Sequence, residues 1–131
     1  MKISRLVLVG LLFVFLGCAS AALIKSAENR SKISQLSIGM TKQEVLVFMG
    51  TEPFIFPLAI INTIQNPYRI EMMKSGENTY EIIYYFSDVK GRIRGVDEDE
   101  LTPIILKNGK VVGWGHTFLA DINIKTIQII K

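Results

Sequence analysis

The chain has 131 residues, which is enough for one domain, and 49% of them are hydrophobic. Its 15 basic and 12 acidic residues give a formal charge of +3, and without Lys2 and Arg5 the balance is 13 against 12, or +1. This balance and the composition argue against collagen-like, disordered and multi-span membrane classes, and we find no basic stripe of the kind that nucleic-acid binding needs.

The N-terminus has the three parts of a secretory signal. Lys2 and Arg5 supply positive charge, residues 6–16 form an uncharged apolar run, and small residues follow. The run is about half of the ~20 apolar residues that a spanning helix requires, which argues against a permanent span unless it continues to Ile24. Two cleavage sites compete, one after Ala21 in an A-x-A pattern and one before Cys18.

The cleavage site before Cys18 is favoured because Leu16-Gly17-Cys18 resembles the bacterial lipobox, in which the cysteine receives diacylglycerol on its sulfur. Cys18 is the only cysteine of the chain, so no internal disulfide can form. The predicted organisation is a signal peptide over 1–17, a lipidated tether over 18–26 and a folded domain over 27–131. Ala19 after the cysteine implies, by the sorting rule of enteric bacteria, an outer-membrane protein anchored on the periplasmic face.

Two short helices are predicted next. Ile33 and Leu36 have the spacing of one apolar helix edge. Thr41 and Glu44 have the spacing of a capping box, with Met40 and Val45 placed as a hydrophobic staple. The second helix is therefore predicted over Lys42–Met49, with an apolar face of Val45, Phe48 and Met49. Gly50 is expected to end it in a left-handed cap.

The segment from Phe54 to Tyr68 contains Pro57 and Pro67 and is predicted to be a loop with at most one helical turn. We favour an interpretation in which it folds over the core. The alternative is an exposed surface for a protein partner. The residues of that partner surface are Phe54, Phe56, Leu58, Ile60 and Ile61.

Strands are predicted from Tyr68 onward. The first two run over 68–74 and 79–87, and residues 82–86 place apolar side chains on both faces. Asn108-Gly109 predicts a type I′ hairpin turn that pairs Lys107 with Lys110, Leu106 with Val111, and Ile105 with Val112. The second arm of this hairpin is expected to continue through Trp114 to Gly115, and the tail from Ile122 has no assignment. The fold class is α+β: two short N-terminal helices packed on a three- to four-stranded antiparallel meander sheet.

The stretch Leu36-Ser37-Ile38-Gly39-Met40-Thr41, followed by Glu44-Val45, Gly50 and Pro53, resembles the start of the SmpA/OmlA domain. That family includes the small outer-membrane lipoprotein of the β-barrel assembly machinery and many other lipoproteins. The resemblance covers residues 36–53 and implies the domain shape and an envelope location more than an activity. The strands further along the chain look like a separate subgroup of lipoproteins.

Catalysis is not expected. His116 is the only histidine, and its neighbours offer no pattern of nucleophile and base. The acidic run Asp97–Glu100 fails as an EF-hand in the registers that start at Asp88 and Asp97, and it is expected to edge a loop. We therefore predict no enzyme activity, no metal and no cofactor.

Two functional classes remain. The first is a non-catalytic interaction or scaffold module of the envelope, anchored by its lipid and binding an envelope protein, in outer-membrane protein assembly or envelope maintenance. The alternative is a periplasmic domain that binds a small ligand or inhibits an enzyme, since a secreted β-lactamase inhibitor has a related shape. An exposed apolar surface at Phe54–Ile61 would favour the first class. A pocket lined by Tyr84, Trp114 and His116 would favour the second.

Overall fold

The structure, a computed structural model, describes residues 22–55, 63–90 and 95–129, with side chains as far as Ile122. These residues form three α-helices and two antiparallel sheets, which is the α+β class that was predicted. The first helix, α1, covers residues 22–33 of the described chain. The other elements are α2 (Lys42–Met49), β1 (Phe54–Ile55), β2 (Thr63–Ile64), β3 (Arg69–Ser75), β4 (Asn78–Phe86), a 3-10 turn (Glu98–Glu100), β5 (Leu101–Lys107), β6 (Lys110–Trp114) and α3 (His116–Ile129).

Helix α1 is part of the folded domain from its first described residue. Ala22, Ser26 and Asn29 are all buried, with the spacing of one helix face. The lipidated tether was predicted to extend to residue 26, but residues 22–26 are helical and two of them are packed against the domain. Apolar contacts at Ala22, a position with no sequence signal of its own, therefore bring the described part of the folded domain to within four residues of Cys18.

Helix α2 begins and ends at the predicted residues, and its start is specified by residues that are close neighbours in the sequence. Glu44 N–H donates to the Thr41 hydroxyl at 3.3 Å, and Thr41 N–H donates to the Glu44 carboxylate at 2.7 Å, which completes the capping box. Val45 and Met49 are fully buried, whereas Phe48 is partly exposed. Gly50 has a φ of 85° with a ψ of 159°, so it has positive φ without the left-handed helical cap that was predicted.

The main sheet is an antiparallel meander in the order β3-β4-β5-β6. Asn108 and Gly109 have φ of 51° and 81°, as the predicted type I′ turn requires, and the pairings Lys107–Lys110 and Leu106–Val111 are confirmed. The pairing of Ile105 with Val112 is wrong. A register shift next to Leu106 leaves Val112 as the extra residue of a bulge, and Ile105 pairs with Gly113 instead.

Both faces of the sheet are covered. Ile83 and Tyr85 of β4 point to one face and Ile82, Tyr84 and Phe86 to the other, because side chains alternate along a strand. The first cluster, which we call the helix face, also contains Ile33, Leu36, Val45 and Met49 from the N-terminal part of the chain. The second cluster, the α3 face, joins Ala22, Ile64, Phe118, Leu119 and Ile122 to the sheet.

The C-terminal tail, which had no predicted structure, forms α3. Strand β6 ends at Trp114 rather than at Gly115, and the helix starts at His116. Gly113 is a point of close approach between α3 and the sheet, because a Cβ built there would lie 2.6 Å from the Phe118 ring. Glycine at this position therefore lets the helix pack directly on the backbone of β6.

The two edges of the main sheet differ. Residues 39–41 lie along the first half of β6: Gly39 N–H donates to the Val111 carbonyl and Val111 N–H donates to the Met40 carbonyl, each at 2.8 Å. Strand β3 forms the opposite edge, and within the described ranges it pairs only with β4. Its side chains Ile70 and Met72 are exposed on the helix face beside this edge.

Candidate interaction surface

The predicted partner surface falls largely on residues that the structure does not describe. Phe56, Leu58, Ile60 and Ile61 lie outside the described residues, as does the predicted lipid attachment site Cys18. Phe54 is described, and it is half-buried with its ring centroid 5.5 Å from that of Phe86. The residues on either side of 56–62 were predicted as loop, but β1 and β2 pair there, with Phe54 opposite Ile64.

An apolar surface lies immediately before this segment in the chain. Val47 is 73% exposed, Ile55 is 66% exposed and Phe48 is 37% exposed. A groove of about 350 Å³ runs along the outer side of α2 and the residues that follow it. The groove is lined by Gln43, Leu46, Val47, Gly50, Thr51 and Glu52. We call these lining residues, together with Phe48 and Ile55, the α2–β1 surface.

This surface was missed at the sequence level because α2 was treated as a helix with one apolar face. Val45 and Met49 satisfy that expectation, since they fill the core. Leu46 and Val47 are equally apolar but lie on other sides of the helix, where Val47 projects into solvent. The only signal in the sequence is an apolar residue off the predicted apolar face of the helix, and that signal alone does not distinguish a partner surface from a core position.

A network of buried and partly buried hydrogen bonds fixes the C-terminal end of α2 beneath this surface. The Gly50 carbonyl accepts from Asn66 Nδ2 at 3.2 Å and from the Tyr85 hydroxyl at 3.5 Å. Asn29 Nδ2 in turn donates to Asn66 Oδ1 at 3.2 Å and to the Phe86 carbonyl at 2.8 Å. Burial raises the pKa of Tyr85, so its hydroxyl stays protonated and acts as a donor. The network joins α1, β4 and α2 at one point.

The three residues proposed to line a ligand pocket do not come together. Trp114 packs against the helix face, whereas Tyr84 belongs to the α3 face on the other side of the sheet. The exposed His116 hydrogen bonds through Nε2 to the Leu101 carbonyl at 2.7 Å. The hypothesis of one pocket lined by all three side chains is therefore wrong.

Tyr84 belongs instead to an ion-pair cluster on β3. The Arg69 guanidinium binds the Glu98 carboxylate through two hydrogen bonds of 2.6 Å and lies 4.0 Å over the Tyr84 ring. Arg69 also binds Glu71 at 2.8 Å, and Glu71 accepts from the Tyr84 hydroxyl at 3.2 Å. The hydrogen bond from Arg69 lowers the pKa of Glu98, and burial raises the pKa of Tyr84. These groups satisfy one another, which is typical of a structural cluster.

The acidic run forms the 3-10 turn before β5. Glu100 is buried, and its carboxylate accepts from the backbone N–H groups of Lys90 at 2.7 Å and Asp97 at 2.9 Å. The Lys90 ammonium binds the Asp99 carboxylate at 2.5 Å. Across the described ranges, no group of three or more histidine, cysteine, aspartate or glutamate side chains is arranged to hold a metal ion.

Three further findings bear on identity. A family model described as "Protein of unknown function (DUF3192)" matches residues 23–121. Comparisons with curated proteins and with solved structures give no match. Among the described residues, no helix combines the length and the apolar character needed to cross a membrane.

Proposed function

The chain belongs to the DUF3192 family, whose description assigns no function. We therefore propose a function from the residues of the chain itself. The protein is a non-catalytic module of the bacterial cell envelope, held at the outer membrane by lipid on Cys18, and it binds an envelope protein through the α2–β1 surface. The two N-terminal helices on a meander sheet, the arrangement that the SmpA/OmlA resemblance implies, form the scaffold of this module.

The observation that carries the proposal is the exposure of Val47 in the wall of the groove, together with that of Ile55, which follows the lining residue Glu52 by three positions in the chain. Leaving two large β-branched side chains in water has no benefit for folding, since the core beneath α2 is already filled by Val45 and Met49. Apolar side chains grouped at a groove and bordered by polar residues such as Gln43 and Glu52 are typical of protein interaction sites.

The rigidity of the base supports binding of a protein at this point. The Gly50 carbonyl is held by Asn66 and Tyr85, so the groove floor does not need to become ordered when a partner arrives. A preorganised surface avoids part of the entropic cost of association. The sequence continues from Ile55 into the uncharged segment 56–62, which extends the apolar character of the surface along the chain.

The anchor is tested by a Cys18→Ala variant of the full chain, expressed in a Gram-negative host with its signal. We expect the parent to incorporate radiolabelled palmitate and to fractionate with outer membranes, and the variant to lose both properties. A variant that remains as membrane-bound and as completely processed as the parent would contradict the lipoprotein proposal.

The partner surface is tested by photo-cross-linking in intact cells. A photoreactive residue at position 47 or 55 should form a discrete adduct with an envelope protein, and the same residue at the exposed position 34 in the turn after α1 should not. Val47→Asp should abolish the adduct formed from position 55 while leaving thermal stability unchanged, because Val47 is 73% exposed. Equal yields of cross-linked adduct from positions 47 and 34 would contradict the proposal that the α2–β1 surface binds the partner.

A further inference from the structure

We propose that the first described turn of α1, residues 22–25, lies in the membrane interface, with Leu23 and Ile24 in contact with lipid. This inference rests on the proposed lipid anchor at Cys18 and adds how the domain sits on the bilayer.

The first argument is the length of chain between the anchor and the fold. Only Ala19, Ser20 and Ala21 separate Cys18 from Ala22, and Ala22 is already fully buried against the α3 face. At about 3.5 Å per residue, the Cα atoms of Cys18 and Ala22 are at most ~14 Å apart. If the Cys18 sulfur carries lipid chains that lie in the bilayer, Ala22 and the described residues next to it are held near the membrane surface.

The second argument is the distribution of exposed side chains along α1. Leu23 is 54% exposed and Ile24 is 66% exposed, and both lie in the turn nearest the anchor. Farther along, the exposed positions are occupied by the small Ala27 and by the charged or polar Glu28, Arg30 and Ser31. The helix thus changes from apolar to polar with increasing distance from the lipid, as expected for an element that starts in the interface and leaves it.

The third argument is that packing in the hydrophobic core does not account for the apolar character of Leu23 and Ile24. The inner face of α1 is supplied by Ala22, Ser26 and Asn29, and neither Leu23 nor Ile24 belongs to either core cluster. Apolar side chains at the depth of the headgroup and acyl boundary gain the free energy of leaving water, which adds to that of the lipid chains. Leu23 and Ile24 would then fix the orientation of the domain, whereas acyl chains alone leave it free to rotate.

The test uses the full acylated chain, purified from membranes and reconstituted into vesicles of phosphatidylethanolamine and phosphatidylglycerol that contain a lipid-borne spin label. Environment-sensitive fluorophores are placed through Ile24→Cys and, as a matched control two turns along the same helix, Ser31→Cys. The acylated Cys18 does not react with the thiol reagent. We expect the probe at 24 to be blue-shifted and quenched several-fold more than the probe at 31.

A second pair of chains separates insertion from mere closeness. With the probe moved to the exposed position 27, Leu23→Asp combined with Ile24→Asp should reduce quenching by the lipid label, and the unfolding temperature should stay that of the parent because both positions are exposed. Equal quenching at 24 and 31 in an acylated protein would overturn this inference and leave the anchor intact. Absence of acylation on Cys18 would overturn the anchor and this inference together.

Discussion

The hydroxyl of Thr41 and the carboxylate of Glu44 satisfy the backbone at the start of α2 from both directions. Thr41→Ala removes one of the two acceptors, and we expect the free energy of unfolding to fall by about 1 kcal/mol. Thr41→Ser keeps the hydroxyl and should retain most of that stability. Urea unfolding of the three chains measures the difference, and equal stability of all three would contradict a contribution of the cap.

Gly113 is a second residue whose identity is dictated by a close contact. In Gly113→Ala the new Cβ would lie 2.6 Å from the Phe118 ring, so the ring and α3 must move. We expect a loss of about 1–3 kcal/mol, the usual range for overpacking. The same substitution combined with Phe118→Leu should cost less than the sum of the two single changes. Strict additivity would show that the ring is not the obstacle.

At the scale of elements, Arg69 joins β3 to the turn before β5 through Glu98. Because the pKa of Glu98 is lowered from 4.5 in the folded state, the ion pair stabilises the fold above that pH and the contribution disappears as pH falls through the lowered value. Glu98→Gln should therefore lower the unfolding temperature near neutral pH and make little difference in acid. The effect should be small, since the Glu98 side chain is largely exposed.

The control for that experiment is Glu77→Gln in the turn between β3 and β4, which should leave the unfolding temperature nearly unchanged at both pH values. A Glu98→Gln deficit that persists undiminished in acid would show that packing of the side chain, rather than its charge, is responsible.

Elements specified by near neighbours in the sequence could be predicted, and those specified by distant contacts could not. The cap of α2 and the Asn108-Gly109 turn depend on residues within a few positions of each other. The bulge that moves Ile105 opposite Gly113 has no such local code, and the glycine that it brings there lies against Phe118 of α3, a residue from another element. The pattern of the tail mixes two periods, so α3 was missed.

The candidate surface shows the same division. The sequence predicts a partner surface in the apolar segment that begins at Phe54. Of the residues between Phe54 and the start of β2, the structure describes only Phe54 and Ile55. The exposure of Val47 could not be derived, because an apolar residue in an amphipathic helix is normally assigned to the core. It becomes evident only when Val45 and Met49 are seen to fill the space beneath α2.

At the scale of the whole molecule, the main sheet separates two hydrophobic clusters and contributes side chains to both. Ile104 and Ile105 are adjacent and fully buried, yet they belong to opposite faces. Ile104→Val and Ile105→Val should each cost about 0.5–1.5 kcal/mol, and the double variant should unfold in one transition with nearly the sum. A negligible cost for either one, measured by urea unfolding, would mean that its face is not packed as described.

The unequal edges of the sheet limit how copies of this protein can join. In the described chain, β3 offers an open edge, while Gly39 and Met40 already occupy backbone groups of β6. Among the described strands of the main sheet, only β3 offers a full-length edge, so two copies that pair through β3 leave a third copy only the partly covered edge of β6. Edge-to-edge association of these chains through the main sheet should therefore favour a closed pair over a growing fibre.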